Sequence, residues 1–246
     1  MTQAVRDFNP IPEKEQRRVS SPVRTAARRG LLSLGRRLSA SAVADLRWAL
    51  GYVELGGWLA GQPGTPASLG FADRYALFEH ANANLHGSRP LYLEFGVYEG
   101  ESLRWWSEHL TAPDARLVGF DSFEGLPEDW RPGLARGSFR TAGPPRIPDS
   151  RVSFVVGWFD DTLPSYRLPE HDQLVVNIDC DLYSSTHTVL SWLEPYLRPG
   201  TLVYFDELAD RDHEMRAFLE SLAASGRRVT PLGFANGGVE WLFRYH

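Results

Sequence analysis

From residue 91 onward, short apolar runs alternate with longer stretches of helical spacing. The runs "LYLEF" (91–95), "ARLVGF" (115–120), "VSFVV" (152–156), "LVVNI" (174–178) and "TLVYF" (201–205) each end at or beside Gly, Asp or Glu. Near-continuous apolar runs of this length, separated by helical segments, predict parallel strands covered on both faces. "ESLRWWSEHL", "STHTVLSWLEPYL" and "DHEMRAFLESLAASG" supply the crossover helices, the last two followed by the stop signals "RPG" and "SGRR". "RRVTPLGF", "ANGG" and "VEWLFRY" then predict a hairpin, one strand of which must run against the others. The pattern as a whole predicts an α/β fold with a seven-stranded, mostly parallel sheet and an antiparallel C-terminal edge hairpin.

Upstream of residue 89 the pattern is helical. Residues 1–40 read as a basic arm, partly disordered or helical, in which "SPVRTAARRGLLSLGRRLS" (21–39) can form a basic amphipathic helix. Residues 41–88 read as a helical preface, with Phe71, Tyr75, Phe78 and Leu85 at helical spacing. Residues 89–246 then form the main domain. Within it, the connection 122–150 has no convincing helix and is rich in Pro and Gly; a loop of that length is usually functional or disordered.

Composition narrows the class. With 246 residues and 43% hydrophobic content, the chain can bury a sizeable core. The single cysteine, Cys180, excludes an intramolecular disulfide framework. No apolar leader precedes the body of the chain, and the weakly polar run at 46–61 is interrupted by Glu54, so a cytoplasmic protein without a membrane span is expected. Residues 1–40 carry nine basic and three acidic residues, a surplus of six, against a deficit of eleven in the rest. No aromatic residue interleaves the arginines from Arg17 to Arg37 as a base-stacking surface requires, so nucleic acid is not the expected partner. A solvated arm is expected instead, with the N-terminal helices as the route to a homo-oligomer.

In open parallel sheets ligands bind beyond the carboxyl ends of the strands. The first strand gives "LEFGVYEGES": Glu94 closes the strand, Gly96 and Gly100 allow close backbone approach, and Ser102 lies in the first turn of the next helix. This turn lacks the G-x-G-x-x-G spacing of a pyrophosphate site. Its acidic form suits a ligand with an ammonium group and no phosphate, such as S-adenosylmethionine (SAM). Asp121 closes the second strand 21 residues after Gly100, where an acid accepts hydrogen bonds from ribose hydroxyls. The alternative is a carboxylate that caps its own loop by binding backbone N–H groups. Ser122 and Phe123 follow it, and after the third strand Gly157 permits a close turn while Trp158 offers a face for adenine. Asp179, Asp181, Asp206 and Glu207 end the fourth and fifth strands, where oxygen ligands from two loops could hold Mg²⁺.

Taken in order, "LEFGVYEGES", "GFDSFEGLPEDW", "GWFDDTLP", "NIDCDLYSST" and "PGTLVYFDE" resemble the macrocin O-methyltransferase-like family of class I SAM-dependent methyltransferases, over about residues 90 to 210. The resemblance implies the Rossmann-like class I fold with strand order 3-2-1-4-5-7-6, and a loop after the second strand that helps enclose the cofactor. It implies methyl transfer to a hydroxyl of a small molecule, in some members a glycosylated natural product. It also implies Asp179 and Asp206 as metal ligands, with Glu207 standing where the family has a second aspartate, and Asp179 as the group that takes the hydroxyl proton. His213, just after the fifth strand, is a second candidate base. In a purely structural reading, Asp181 caps the following helix and Glu207 pairs with Arg211 or Arg216. The altered pair also keeps open a SAM-binding protein without transfer activity. A dinucleotide-dependent oxidoreductase is disfavoured by the missing glycine fingerprint.

Overall fold

The computed structural model describes residues 22–62 and 69–246. The first part of the expected basic arm, including Arg6, Lys14, Arg17 and Arg18, lies outside the described residues. The chain divides into two compact units, Met1–Leu46 and Arg47–His246. The first contains helix α1 (Pro22–Gly35), whose side chains from Val23 onward are exposed, and the start of α2 (Ala40–Leu59), where the Ser39 hydroxyl accepts a hydrogen bond from the Ala42 N–H at 3.1 Å.

The second unit holds the rest of α2, α3 (Arg74–Ala83) and the sheet with its crossovers. Its strands are β1 (Pro90–Phe95), β2 (Arg116–Asp121), β3 (Val152–Val156), β4 (Gln173–Ile178), β5 (Leu202–Phe205), β6 (Val229–Ala235) and β7 (Glu240–Tyr245). They lie in the order β3-β2-β1-β4-β5-β7-β6, with only β7 antiparallel to its neighbours β5 and β6. All five sequence-read runs form the parallel part. Helices α4 (Glu101–His109), α5 (Phe159–Thr162), α6 (Tyr183–Leu193) and α7 (Glu214–Ser225) complete the layers. The preface from Arg47 belongs to the same compact unit as the sheet.

Alternation along each strand builds two cores. Leu91, Leu93, Phe95, Val118, Phe120, Val176, Ile178, Val203 and Phe205 face one side, under α6, α7 and Leu55 and Leu59 of α2. Tyr92, Leu117, Val175, Leu202 and Tyr204 face the other, under Leu77 and Phe78 of α3 and Leu103 and Trp106 of α4. This parity decides the fate of Glu94, which shares the second face with Tyr92. It is buried there, with Tyr92 Oη donating to its Oε2 at 2.5 Å.

The register matters for function. Phe95 pairs with Phe120 on one side and Ile178 on the other, and Ile178 pairs with Phe205. The ladder then continues one residue past each strand: Gly96 N–H donates to Phe120 O, Asp179 N–H to Phe95 O, Asp206 N–H to Ile178 O and Gly157 N–H to Asp121 O, at 2.9 to 3.0 Å. Gly157, Asp121, Gly96, Asp179 and Asp206 thus form a row along one edge of the sheet.

Candidate active site

A cavity of about 550 Å³ opens above this row. Gly96, Asp121, Ser122, Gly157 and Trp158 line it from β1 to β3, and Asp179, Asp181, Asp206 and Glu207 line it from β4 and β5. The remaining expected residues lie elsewhere. Glu94 is sealed below the floor. Gly100 is the N-cap of α4 with φ 74, Ser102 is buried in that helix, and Phe123 packs into the core beneath, so none of these four lines the cavity. They support the turn from outside the cavity lining.

Gly96 is required by its surroundings: φ is 89, and a Cβ there would lie 1.8 Å from Asp179 O. The turn behind it is held by Asp121. Its Oδ2 accepts from the N–H groups of Val97 at 2.8 Å and Tyr98 at 2.9 Å, and its Oδ1 from that of Phe123 at 2.7 Å. The backbone-capping alternative is therefore present in the structure. A carboxylate has about four lone-pair positions, however, and three are used, so Oδ1 keeps one acceptor site beside the cavity. The two readings coexist on one side chain.

Backbone strain gathers here. Of the five non-glycine residues with positive φ among the described residues, Tyr98 (51°), Phe139 (65°) and Asp181 (61°) line the cavity, and Phe123 (60°) lies close to Asp121. Such conformations cost roughly 1–3 kcal/mol each and gather at ligand sites.

The 122–150 segment is ordered without a helix. Leu126 N–H donates to Ser138 O, Gly137 N–H to Leu126 O and Trp130 N–H to Leu134 O. Leu126, Trp130 and Leu182 form a small core of their own, and Ser184 Oγ donates to Glu128 at 2.6 Å. The segment supplies Leu126, Glu128, Trp130, Arg131 and Phe139 to the cavity wall.

Charge is concentrated at the β4–β5 end. Burial, followed by the fields of Asp206 and Asp181, pushes the Asp179 carboxyl well above the usual carboxylate range. Asp181 is pushed up to about 8 by burial and then by Glu207 and Asp206. Glu214, fully buried on α7, is raised by burial and by Asp181; its carboxylate accepts from Cys180 N–H at 3.3 Å and Glu207 N–H at 3.1 Å, tying the two acidic loops together. Two arginines that pattern reading did not single out for the site enter this cluster. Arg74 Nη2 lies 3.1 Å from Asp206 Oδ1, and its Nε lies 3.2 Å from Glu240 Oε1. Arg131 bonds both oxygens of Glu207, at 3.2 and 3.4 Å, and stacks over Trp130.

Several expectations change as a result. Glu207 pairs with Arg131, while Arg211 pairs with Glu54 and Arg216 with Glu220. Asp181 does not cap α6, whose N-cap is Leu182 with no side-chain hydrogen bond. His213 stands outside the cavity lining, its Nδ1 accepting from Tyr183 N–H at 3.1 Å and its ring edge-on to Trp130. The expected metal set fits a divalent ion poorly: Asp206 and Glu207 are engaged by arginines, and no group of three or more His, Cys, Asp or Glu side chains among the described residues could hold a metal ion.

Residues 93–208 match the family model described as a methyltransferase domain. This stretch therefore carries the sequence pattern of a methyltransferase domain. The chain is 34% identical over 141 residues to an 8-demethyl-8-(2,3-dimethoxy-alpha-L-rhamnosyl)-tetracenomycin-C 4'-O-methyltransferase of Streptomyces olivaceus, a match covering 48% of this chain and 52% of the relative. It is 30% identical over 139 residues to a demethyldecarbamoylnovobiocin O-methyltransferase of Streptomyces niveus, covering 47% and 51%. The matched part thus spans about half the length of these curated relatives. Among solved structures, a calicheamicin methyltransferase superposes with a TM-score of 0.55 at 22% identity, covering 80% of this chain and 91% of that one. The O-methyltransferase NovP gives 0.50 at 24%, covering 70% and 76%. Both share the class I SAM-dependent methyltransferase fold seen in the sheet order.

Proposed function

We propose that this chain is a SAM-dependent O-methyltransferase acting on a hydroxyl of a glycosylated small molecule. The observation that carries the reading is the row of strand-end residues under one cavity, with a glycine turn and a ribose-type acid at one end and an unbonded carboxylate, Asp179, at the other. When bound, SAM supplies an electrophilic methyl on a cationic sulfur. The chain's contribution is to bind, orient and remove a proton. Gly96 and Gly157 admit the ligand close to the backbone, the free acceptor site on Asp121 Oδ1 meets a ribose hydroxyl, and the Trp158 ring meets the adenine.

Asp179 receives the acceptor's hydroxyl proton as the oxygen attacks the methyl. Its carboxylate makes no hydrogen bond to the described residues, and burial among acids raises its proton affinity, both of which suit a general base. His213 is turned to the Tyr183 backbone and serves α6 in this reading. The arginine-bound carboxylates Asp206 and Glu207 leave no step that passes through a metal. The tetracenomycin relative's name specifies a rhamnosyl-bearing acceptor, and that similarity supports a sugar hydroxyl as the acceptor class.

Calorimetry with SAM, its demethylated product and NAD tests the cofactor: binding of the first two without NAD is expected, and NAD binding alone would reject the reading. Methyl transfer to a panel of rhamnosylated aromatic compounds tests the reaction, with Asp179→Asn expected to bind SAM and transfer poorly. A protein that binds SAM yet methylates no hydroxylated compound would instead be the SAM-binding module without transfer.

A further inference from the structure

We propose that the guanidinium of Arg74 is the built-in counter-cation of the β4–β5 carboxylate cluster, so that this chain balances its acceptor-side charge without a divalent ion. The inference rests on the functional reading above and adds a positioning residue to it. Arg74 is the first residue of α3, whose start is fixed by the Asp73 side chain accepting from Ala76 N–H at 2.9 Å and whose inner face is buried through Leu77, Phe78 and Ala81. From that anchored position Nη2 reaches both oxygens of Asp206, at 3.1 and 3.3 Å, and Nε reaches Glu240. Glu240 is held in turn by Asn236, which donates to its two oxygens at 2.9 and 2.8 Å, and Asp206 Oδ1 also accepts from Tyr204 Oη at 3.0 Å.

Arginine pairing weighs against a cation such as Mg²⁺, which keeps several waters and binds through one or two carboxylates whose charge is free. Asp206 already accepts from Arg74 and Tyr204, and Glu207 has both oxygens on Arg131. Asp179 and Asp181, whose carboxylates make no hydrogen bond to the described residues, come from a single loop. A guanidinium fork cannot be deprotonated and is held rigidly by paired carboxylates. It therefore supplies a fixed positive charge at the place where the family resemblance implies an exchangeable one.

The test titrates Mn²⁺ into the full chain by electron paramagnetic resonance, with SAM calorimetry in EDTA as a separate arm. The wild type is expected to show no one-to-one Mn²⁺ site at millimolar metal and unchanged SAM affinity in EDTA. Arg74→Met is expected to bind Mn²⁺ roughly tenfold or more tightly than the wild type, the scale on which a neighbouring charge alters a carboxylate's affinity for a cation. Arg74→Lys, which keeps the charge, is expected to stay near the wild type. One-to-one Mn²⁺ binding by the wild type that Asp206→Asn abolishes would overturn the proposal, and so would a folded Arg74→Met protein with no gain in Mn²⁺ binding. If Arg74→Met does not fold, the wild-type titration decides alone. Failure to bind SAM in either buffer would count against the functional reading, and the Mn²⁺ titration would still decide this one.

Discussion

Asp121 serves the fold and the ligand through different lone pairs, and substitution separates the two effects. Asp121→Asn must turn an NH₂ group toward at least one of the three backbone N–H donors. Stability should fall by roughly 1–3 kcal/mol, the scale of a buried donor left unmatched, as read by urea unfolding. SAM affinity of the folded fraction should fall as well; if it stays intact, the residue only supports the turn. Glu94 gives a second prediction. Burial, opposed by its hydrogen bonds to Tyr92 and Asn177, pushes its carboxyl up to about 8. Between its unfolded value and about 8 the folded state therefore holds a proton that the unfolded state releases. Its contribution is fully favourable below the unfolded value, is lost as pH rises through that window, and levels off above it. Glu94→Gln mimics the protonated form, so urea midpoints measured from about pH 5 to about pH 8 should decline less steeply in the variant. An identical slope would show that Glu94 is ionised in the native protein.

The elements themselves were largely legible in the sequence. Apolar runs such as "LVVNI" are too short for helices and read as buried strands, and "ANGG" reads as a turn, so the strands followed from pattern while their order came from the family resemblance. Parity along "LYLEF" also held the clue that Glu94 shares a face with Tyr92 and not with the ligand. "DSF" likewise contained the side-chain-to-backbone turn that Asp121 makes with Phe123 N–H. Arg74 and Arg131 were not legible as site residues, because their partners Asp206, Glu240 and Glu207 are distant in sequence and only the folded sheet brings them together. The glycines give an element-scale test. Gly96→Ala should cost roughly 3 kcal/mol or more, since a strained backbone is joined by a collision with Asp179 O that neither strand can relieve. Gly133→Ala, also at positive φ but with nothing within 4 Å of its Cβ, should cost only about 1–2 kcal/mol. Equal losses in thermal melts would show that conformation alone sets the requirement.

At the scale of the molecule, every residue lining the cavity lies in the unit Arg47–His246. Deleting residues 1–39, which leaves α2 whole, should therefore preserve SAM affinity within about twofold by calorimetry, well under the tenfold that 1.4 kcal/mol represents. A larger loss would make the arm part of the cofactor site. The membrane question is narrower: no helix among the described residues is long and apolar enough to cross a bilayer.

Glu240 opens β7, yet it grips an arginine from α3 that in turn grips the end of β5. During synthesis β7 leaves the ribosome after every other part of that contact. A nascent chain stopped short of it would carry the acids of the pocket with Arg74 only half restrained, a pocket that has its shape before it has its charge balance. Docking of the last hairpin would then complete the restraint of Arg74, making the charge balance of the acceptor side the last part of the pocket to form.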